Sequence, residues 1–386
     1  MRDLFKHPIF KLSILLILAS STICCNGNKG GNGSMKIAVK YNLSNVEPFE
    51  NSNYSVDYKI VPLELPQHDR IKIYLNNIEV FENYIVVSTL RGPIYIFDRE
   101  GRYISKIYEG KELGDVQHLS DFMIDRNKKV IEVLDNKRVA LFTLEGNFIS
   151  SDDLGSLVGV EYGVVGERRV LLKHKHSLSD YSFTILPKGA DFEWKTGQTT
   201  VGTLNPKHFH QYQNRLYFTG YSNKVYSMGE SDSLPTILAT VVNMNRDSNL
   251  RGLDRERHET LSAQKKHFTY INNFFIYNPN LWGFSLFTGD TGHKILYDLE
   301  SNRYYSHPLT GVPYSQNNRW VEEGVEYYLF PPSKFSDDTA ETILESSPSL
   351  YKAMEEERNR EAKSATKSKM WIIKASYTKK SNFKEL

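Results

Sequence analysis

Cysteine is almost missing from this sequence. Its 386 residues include two, Cys24 and Cys25, and they are adjacent. Paired with each other they would make only a strained vicinal bridge, so no disulfide framework holds the fold. Long apolar runs are missing too. The early run at 12–23, LSILLILASSTI, has 12 uncharged residues, whereas a membrane-crossing helix needs roughly 20. Neither charge sign dominates: 48 Lys and Arg stand against 46 Asp and Glu. That balance excludes the concentrated basic surface of a general nucleic-acid binder. Helical periodicity is scarce before residue 336, where residues 253–268, charged and free of Pro and Gly, are the one candidate helix. Catalytic signatures are equally sparse. There is no phosphate loop and no Gly-x-Ser-x-Gly elbow. Asp290-Thr291-Gly292 lacks the second such tripeptide an aspartic protease requires, and His258-Glu259 is followed by Ser262 where a zinc-protease helix has its second His.

What the chain has at its start is an export signal. Arg2, Lys6 and Lys11 precede the apolar run, whose length suits a signal-peptide core. A cysteine closing such a run resembles the lipobox of bacterial lipoproteins, in which the thiol is acylated and the preceding peptide removed. That pattern wants a small residue before the modified Cys. Cys25 has Cys24 there, and Cys24 has β-branched Ile23, so Cys25 is the expected lipidation site and Cys24 the alternative. Residues 1–24 are then the signal peptide. Their loss removes Arg2, Lys6, Lys11 and Asp3 and leaves 45 charges of each sign. Residues 26–34, NGNKGGNGS, cannot build a core, and 25–55 reads as a flexible tether. The residues after Cys25 lack the acidic character of many surface-exported Bacteroidota lipoproteins, which favours a periplasm-facing anchor.

From residue 56 the pattern is β. Residues 71–75 (IKIYL) and 84–88 (YIVVS) are short, β-branched and aromatic, with Gly92-Pro93 and Glu100-Gly101 as turns between such runs. Residues 95–105 read YIFDREGRYIS and residues 140–150 read ALFTLEGNFIS, an offset of 45. A period near 40–45 with about four strands per repeat is the signature of propeller blades. The span 56–380 holds six of them, with seven as the alternative. The strand at 58–65 is expected to complete the last blade and close the ring. Residues 336–365 differ: Asp337 or Asp338 is the expected cap of a short helix. Ser347-Pro348 opens a second, with Leu350 and Met354 one turn apart and able to dock on the propeller.

The stretch 57–150 resembles the six-bladed β-propeller lipoproteins of Bacteroidota, a family related to NHL and TolB-like propellers and largely of unknown function. The resemblance rests on Phe97-Asp98-Arg99-Glu100-Gly101-Arg102-Tyr103-Ile104, on Phe122-Met123-Ile124-Asp125, on Val61-Pro62-Leu63-Glu64, and on a helical segment before a closing strand at 370–375. The family's Gly-Pro-Gly-Glu-Tyr loop is replaced here by Gly110-Lys111-Glu112-Leu113-Gly114-Asp115. The expected fold is all-β: a six-bladed propeller of four-stranded antiparallel blades with a short helical insertion before the last strand.

Candidate chemistry is thin. His174 and His176, and again His208 and His210, stand at i and i+2, which on a strand puts each pair on one face as metal ligation would need. No Cys or regular carboxylate spacing accompanies them, so neither a metal site nor any cofactor is assigned. Trp282, Tyr304, Tyr305, Tyr314 and Trp320 lie near turns and are candidates for a binding face, against the alternative that they fill the contacts between blades. The reading is a lipid-anchored envelope module that binds a protein partner or a glycan and no nucleic acid. The competing reading is a metal-assisted lactonase, lyase or hydrolase working in the central channel.

Overall fold

A lone sheet of four short, apolar strands leaves both faces wet, so such sheets must stack. The computed structural model shows six of them arranged around an axis. It describes residues 37–41, 45–66, 75–89, 93–107, 116, 119–135, 138–154, 161–175, 180–186, 190–193, 209–219, 224–243, 269–288, 291–309, 319–364, 368 and 370–381. Three strands come first: β1 (Ile37–Tyr41), β2 (Val46–Glu47) and β3 (Tyr54–Pro62). Blade 1 is β4 (Leu75–Phe81), β5 (Tyr84–Thr89), β6 (Ile94–Asp98) and β7 (Tyr103–Ile107). Blade 2 is β8 (Leu119–Asp125), β9 (Val130–Asp135), β10 (Arg138–Thr143) and β11 (Phe148–Asp153). Blade 3 is β12 (Glu161–Val165), β13 (Arg168–Lys175), β14 (Asp180–Leu186) and β15 (Ala190–Glu193). Blade 4 is β16 (Phe209–Tyr212), β17 (Arg215–Thr219), β18 (Lys224–Gly229) and β19 (Thr236–Asn243). Blade 5 is β20 (Thr269–Asn278), β21 (Leu281–Thr288), β22 (Thr291–Asp298) and β23 (Arg303–Ser306). Blade 6 is β24 (Arg319–Glu322), β25 (Val325–Phe330) and β26 (Trp371–Lys379), with β3 as its fourth strand.

The ring closes as the sequence implied. β3 runs antiparallel along β26, from Tyr54 opposite Lys379 to Pro62 opposite Trp371. The first strands of the blades adjoin in order, and β24 meets β4. Inner strands are covered on both faces by neighbouring blades, so β5 is buried from Ile85 to Thr89 although its sequence does not alternate. At the rim, β11 is exposed from Ile149 to Asp153.

The stretch expected to be a tether is structured in its second half. β1 lies parallel on β19, Ile37 opposite Ala239, and β2 lies parallel on β23. Two blades thus carry a fifth strand on an edge that would otherwise stay unpaired. Phe49 is buried 6.0 Å from Tyr377, and Lys380 donates to the Ser52 carbonyl at 2.8 Å.

The repeat detected in the sequence is the rim hairpin of blades 1 and 2. Asp98 accepts from the backbone of Glu100 and Arg102, and Thr143 makes the same two bonds to Glu145 and Asn147. Gly101 and Gly146 occupy the left-handed position at φ +85° and +86°, which a side chain would disfavour.

Among the described residues, two α-helices precede β26: α1 (Asp337–Ser346) and α2 (Pro348–Ala362). The N-cap of α1 is Ser336, not Asp337 or Asp338, which sit in the first turn where their charge meets the positive helix end. Ser347 and Pro348 take the expected cap and first positions of α2. Leu350 and Met354 are fully buried in a cluster with Ile60, Phe330, Phe335 and Trp371, so α2 is docked on the last blade. The candidate helix at 253–268, the strand residues 71–74 and the loop at 110–115 lie outside the described residues.

Candidate functional site

The inner edge of each first strand faces the axis, where no further strand fits. Its backbone groups need other partners, and side chains supply several. Glu79 accepts from the Ile124 amide at 2.9 Å, and Asp121 accepts from Asn77 at 3.0 Å and the Tyr162 amide at 3.2 Å. Gln211 donates to the Val164 carbonyl at 2.6 Å. Each bond ties one blade to the next.

On one face, the turns joining first to second strands gather around the axis and enclose a cavity of about 660 Å³. All six blades line it: Phe81; Asp125, Arg126 and Asn127; Val164, Val165 and Gly166; Gln211 to Arg215; Tyr277 and Asn278; Val321, Glu322 and Glu323. The turns are held by their own side chains. Asp125 Oδ1 accepts from Asn127 and Lys128, and Asn278 Oδ1 accepts from Asn280 and Leu281. Gly166, at φ +58°, lies where a Cβ would stand 2.4 Å from Glu230.

Across the mouth, Arg126 of blade 2 forms a bidentate pair with Glu322 of blade 6, one bond at 2.8 Å. Its guanidinium lies 5.5 Å from the Phe81 ring centroid and 5.7 Å from that of Trp320. Beside this pair the blades are packed, with His210 edge-on to Phe275 at 5.3 Å and to Trp320 at 5.7 Å; all three are buried and none lines the cavity.

Tyr277 connects the bowl to a fully buried polar network between blades 5 and 6. Its hydroxyl is 3.2 Å from His307 Nε2. The Leu309 amide donates to His307 Nδ1 at 3.1 Å, which leaves Nε2 to carry the proton and donate to Glu326 at 2.9 Å. Glu326 also accepts from Arg319, Tyr328 and Tyr377 at 3.2, 2.6 and 3.0 Å. Burial pushes the Glu326 carboxyl up, but the charge that His307 takes on in acid, its bond, the Arg319 charge and the bond from Tyr328 outweigh it and hold the group down at about 2. Burial keeps His307 below the usual imidazole value, against the pull of Glu326. Lys294, at the same interface, is brought down to about 7 by burial and by the Arg319 charge.

The residues singled out in the sequence scatter. Cys24, Cys25, His176, His208 and Tyr314 lie outside the described residues. His174, in β13, pairs through its backbone with Tyr181 of β14, and its side chain is not described. His210 is 1% exposed among aromatic rings. Among the described residues no group of three or more His, Cys, Asp or Glu is placed to hold a metal ion. Trp282, Tyr304, Tyr305 and Trp320 are all buried, so they pack blades and do not form a binding face. The residues of the mouth went unnoticed because each blade contributes one to five of them, at turns some 40 residues apart that carry no shared motif. Two signals for it were present: Phe122-Met123-Ile124-Asp125 ends at the mouth, and Gln213-Asn214 is a turn dipeptide between two strands.

Among the described residues no helix is long and apolar enough to cross a membrane. No characterised protein matches the sequence. Among solved structures, the fold is similar to that of a Bacteroides fragilis protein named as exported, at 14% identity and a TM-score of 0.63, over 89% of this chain and all of that one. A member of the DUF4221 family from Bacteroides vulgatus matches over 84% of this chain and 98% of its own, at 10% identity and a TM-score of 0.45. The profile of one sequence family, described as a 6-bladed beta-propeller, matches residues 39–317, more than half the chain. The protein therefore belongs to that six-bladed beta-propeller family, DUF5128.

Proposed function

We propose that this protein is a binding module of the bacterial envelope whose ligand enters the channel mouth. One observation carries the reading: turns from all six blades converge on a single bowl of about 660 Å³, a volume typical of ligand sites. The ring closure and side-chain-capped turns hold the lining residues in place before a ligand arrives, which lowers the ordering cost of binding. A bowl of this depth suits a ligand or a protruding segment of a partner better than a flat protein face. Export by residues 1–24 and acylation of Cys25, or else Cys24, would tether the propeller to the membrane by a short linker, facing the periplasm. The fold likeness to an exported Bacteroides protein is consistent with that location.

The test is ligand-observed NMR with a fragment library on wild type and Asn127→Trp. Asn127 is an exposed mouth residue whose backbone, not its side chain, serves the turn, so the indole fills the bowl and leaves the fold intact. Hits lost in the variant support the mouth as the site. Hits that bind both proteins equally refute it. Detergent partitioning of wild type, Cys25→Ala and Cys24→Ala checks the anchor separately.

A further inference from the structure

The charges at the mouth are already spent on one another. Arg126 is clamped by Glu322, Arg215 is held by Asp232 at 2.9 Å, and Asp125 faces Lys128 at 3.5 Å. Glu323, on the exposed rim, is the one charged lining residue without an ion pair among the described residues. An anionic ligand would have to break one of these pairs and strand a partner, and a cationic one would meet only the solvated Glu323 carboxylate, where an ion pair is worth little. Uncharged polar groups carry the remaining hydrogen-bonding capacity. Five carboxamides line the bowl, Asn127, Gln211, Gln213, Asn214 and Asn278, together with Phe81 and Tyr212.

Two lining residues also carry unmet polar atoms. Gln211 Oε1 and Arg126 Nε are buried without a hydrogen-bond partner among the described residues. One accepts and the other donates. A buried polar atom left this way costs free energy that an incoming group can recover. Hydroxyl groups fit the set, because each donates and accepts. Carboxamides beside aromatic rings suit a ligand with polar edges and apolar faces.

Resting on the mouth as the binding site, we infer that its ligand is a neutral, polyhydroxylated glycan. Gln211 and Asn127 would contact sugar hydroxyls, and Tyr212 would lie against a ring face.

Calorimetric titration of the full chain tests this. The probes are neutral gluco-, manno- and N-acetylglucosamine oligosaccharides, with oligogalacturonate, chitosan oligomers and acidic and basic peptides alongside. The expected result is binding of a neutral oligosaccharide that weakens by about tenfold or more in Gln211→Leu and is lost in Asn127→Trp, both variants keeping the wild-type circular dichroism. Binding confined to oligogalacturonate, chitosan or a peptide, and lost in Asn127→Trp, overturns the neutral glycan and leaves the mouth as the site. A neutral oligosaccharide that binds Asn127→Trp as tightly as wild type overturns both. Absence of neutral-oligosaccharide binding across the panel overturns the inference, while the fragment experiment still decides the mouth.

Discussion

Glu326→Gln tests the account of the interface between blades 5 and 6. The Glu326 carboxylate accepts four bonds: Arg319 and Tyr328 on Oε1, His307 and Tyr377 on Oε2. Glutamine keeps the shape but replaces one acceptor oxygen with a donor; the tyrosine hydroxyl on that side can turn and accept, but the contact to His307 or Arg319 becomes donor against donor, and the negative charge is gone. Arg319 is 2% exposed, and its guanidinium is held above its usual pKa by Tyr328 and Glu326 against the effect of burial. It cannot shed its proton and would remain as an unpaired buried charge. Breaking such a pair costs about 3–5 kcal/mol. For the roughly 350 residues from Lys36 to Leu386, an unfolding entropy near 2.1 cal/mol/K per residue gives about 0.7 kcal/mol/K, so the melting temperature should fall by about 4–7 °C. Calorimetry at pH 7 measures this. Acid adds a second readout. The folded pKa of about 2 lies below the ordinary Glu value, so this stabilisation is present above about pH 4.5 and lost as pH falls toward 2, about 3 kcal/mol in all. Glu326→Gln should lack that component. The double variant Glu326→Gln, Arg319→Met should recover much of the loss. A single-variant loss below about 1 kcal/mol, or a double variant no more stable than the single, would refute the reasoning.

Lys294 makes a pH dependence of the same sign in a higher window. Its folded pKa, about 7, is below the unfolded value, so the unfolded chain binds more protons between pH 7 and about 10.5 and stability rises with pH there. Lys294→Met should therefore raise the melting temperature most at pH 6, by about 1–4 kcal/mol equivalent, with the gain vanishing near pH 10.5; equal gains at both pH values would contradict the assignment. Gly101→Ala should destabilise more than Gly146→Ala in urea melts. Both positions have positive φ, at about 1–2 kcal/mol each, but a Cβ at Gly101 would stand 2.2 Å from the Pro62 carbonyl oxygen, whereas at Gly146 it meets the ends of the Ile96 and Ser105 side chains at 3.0 Å. Arg126→Ala strips the partner from Glu322, which is 7% exposed, and should cost about 2 kcal/mol and shift Trp320 emission, since the guanidinium leaves that ring; unchanged emission would argue against the stacked geometry.

Local sequence determined the repeat. An Asp or Thr that caps its own turn, a Gly at positive φ three residues later and β-branched strands on either side need no distant partner to form, which is why the hairpins around Gly101 and Gly146 were legible 45 residues apart. The same holds for Ser347-Pro348 at the start of α2 and for the absence of a disulfide framework. Tertiary structure alone decided the rest. Strand propensity cannot tell whether Ile37–Tyr41 is a tether or a rim strand, because its partner, β19, lies some 200 residues away. Burial decided that Trp320 packs between blades and does not form a binding face, since an aromatic residue near a turn reads the same in either place. The mouth itself has no sequence signature: Arg126 and Glu322 meet only because six blades of nearly equal length close a circle, and closure is a property of the whole chain.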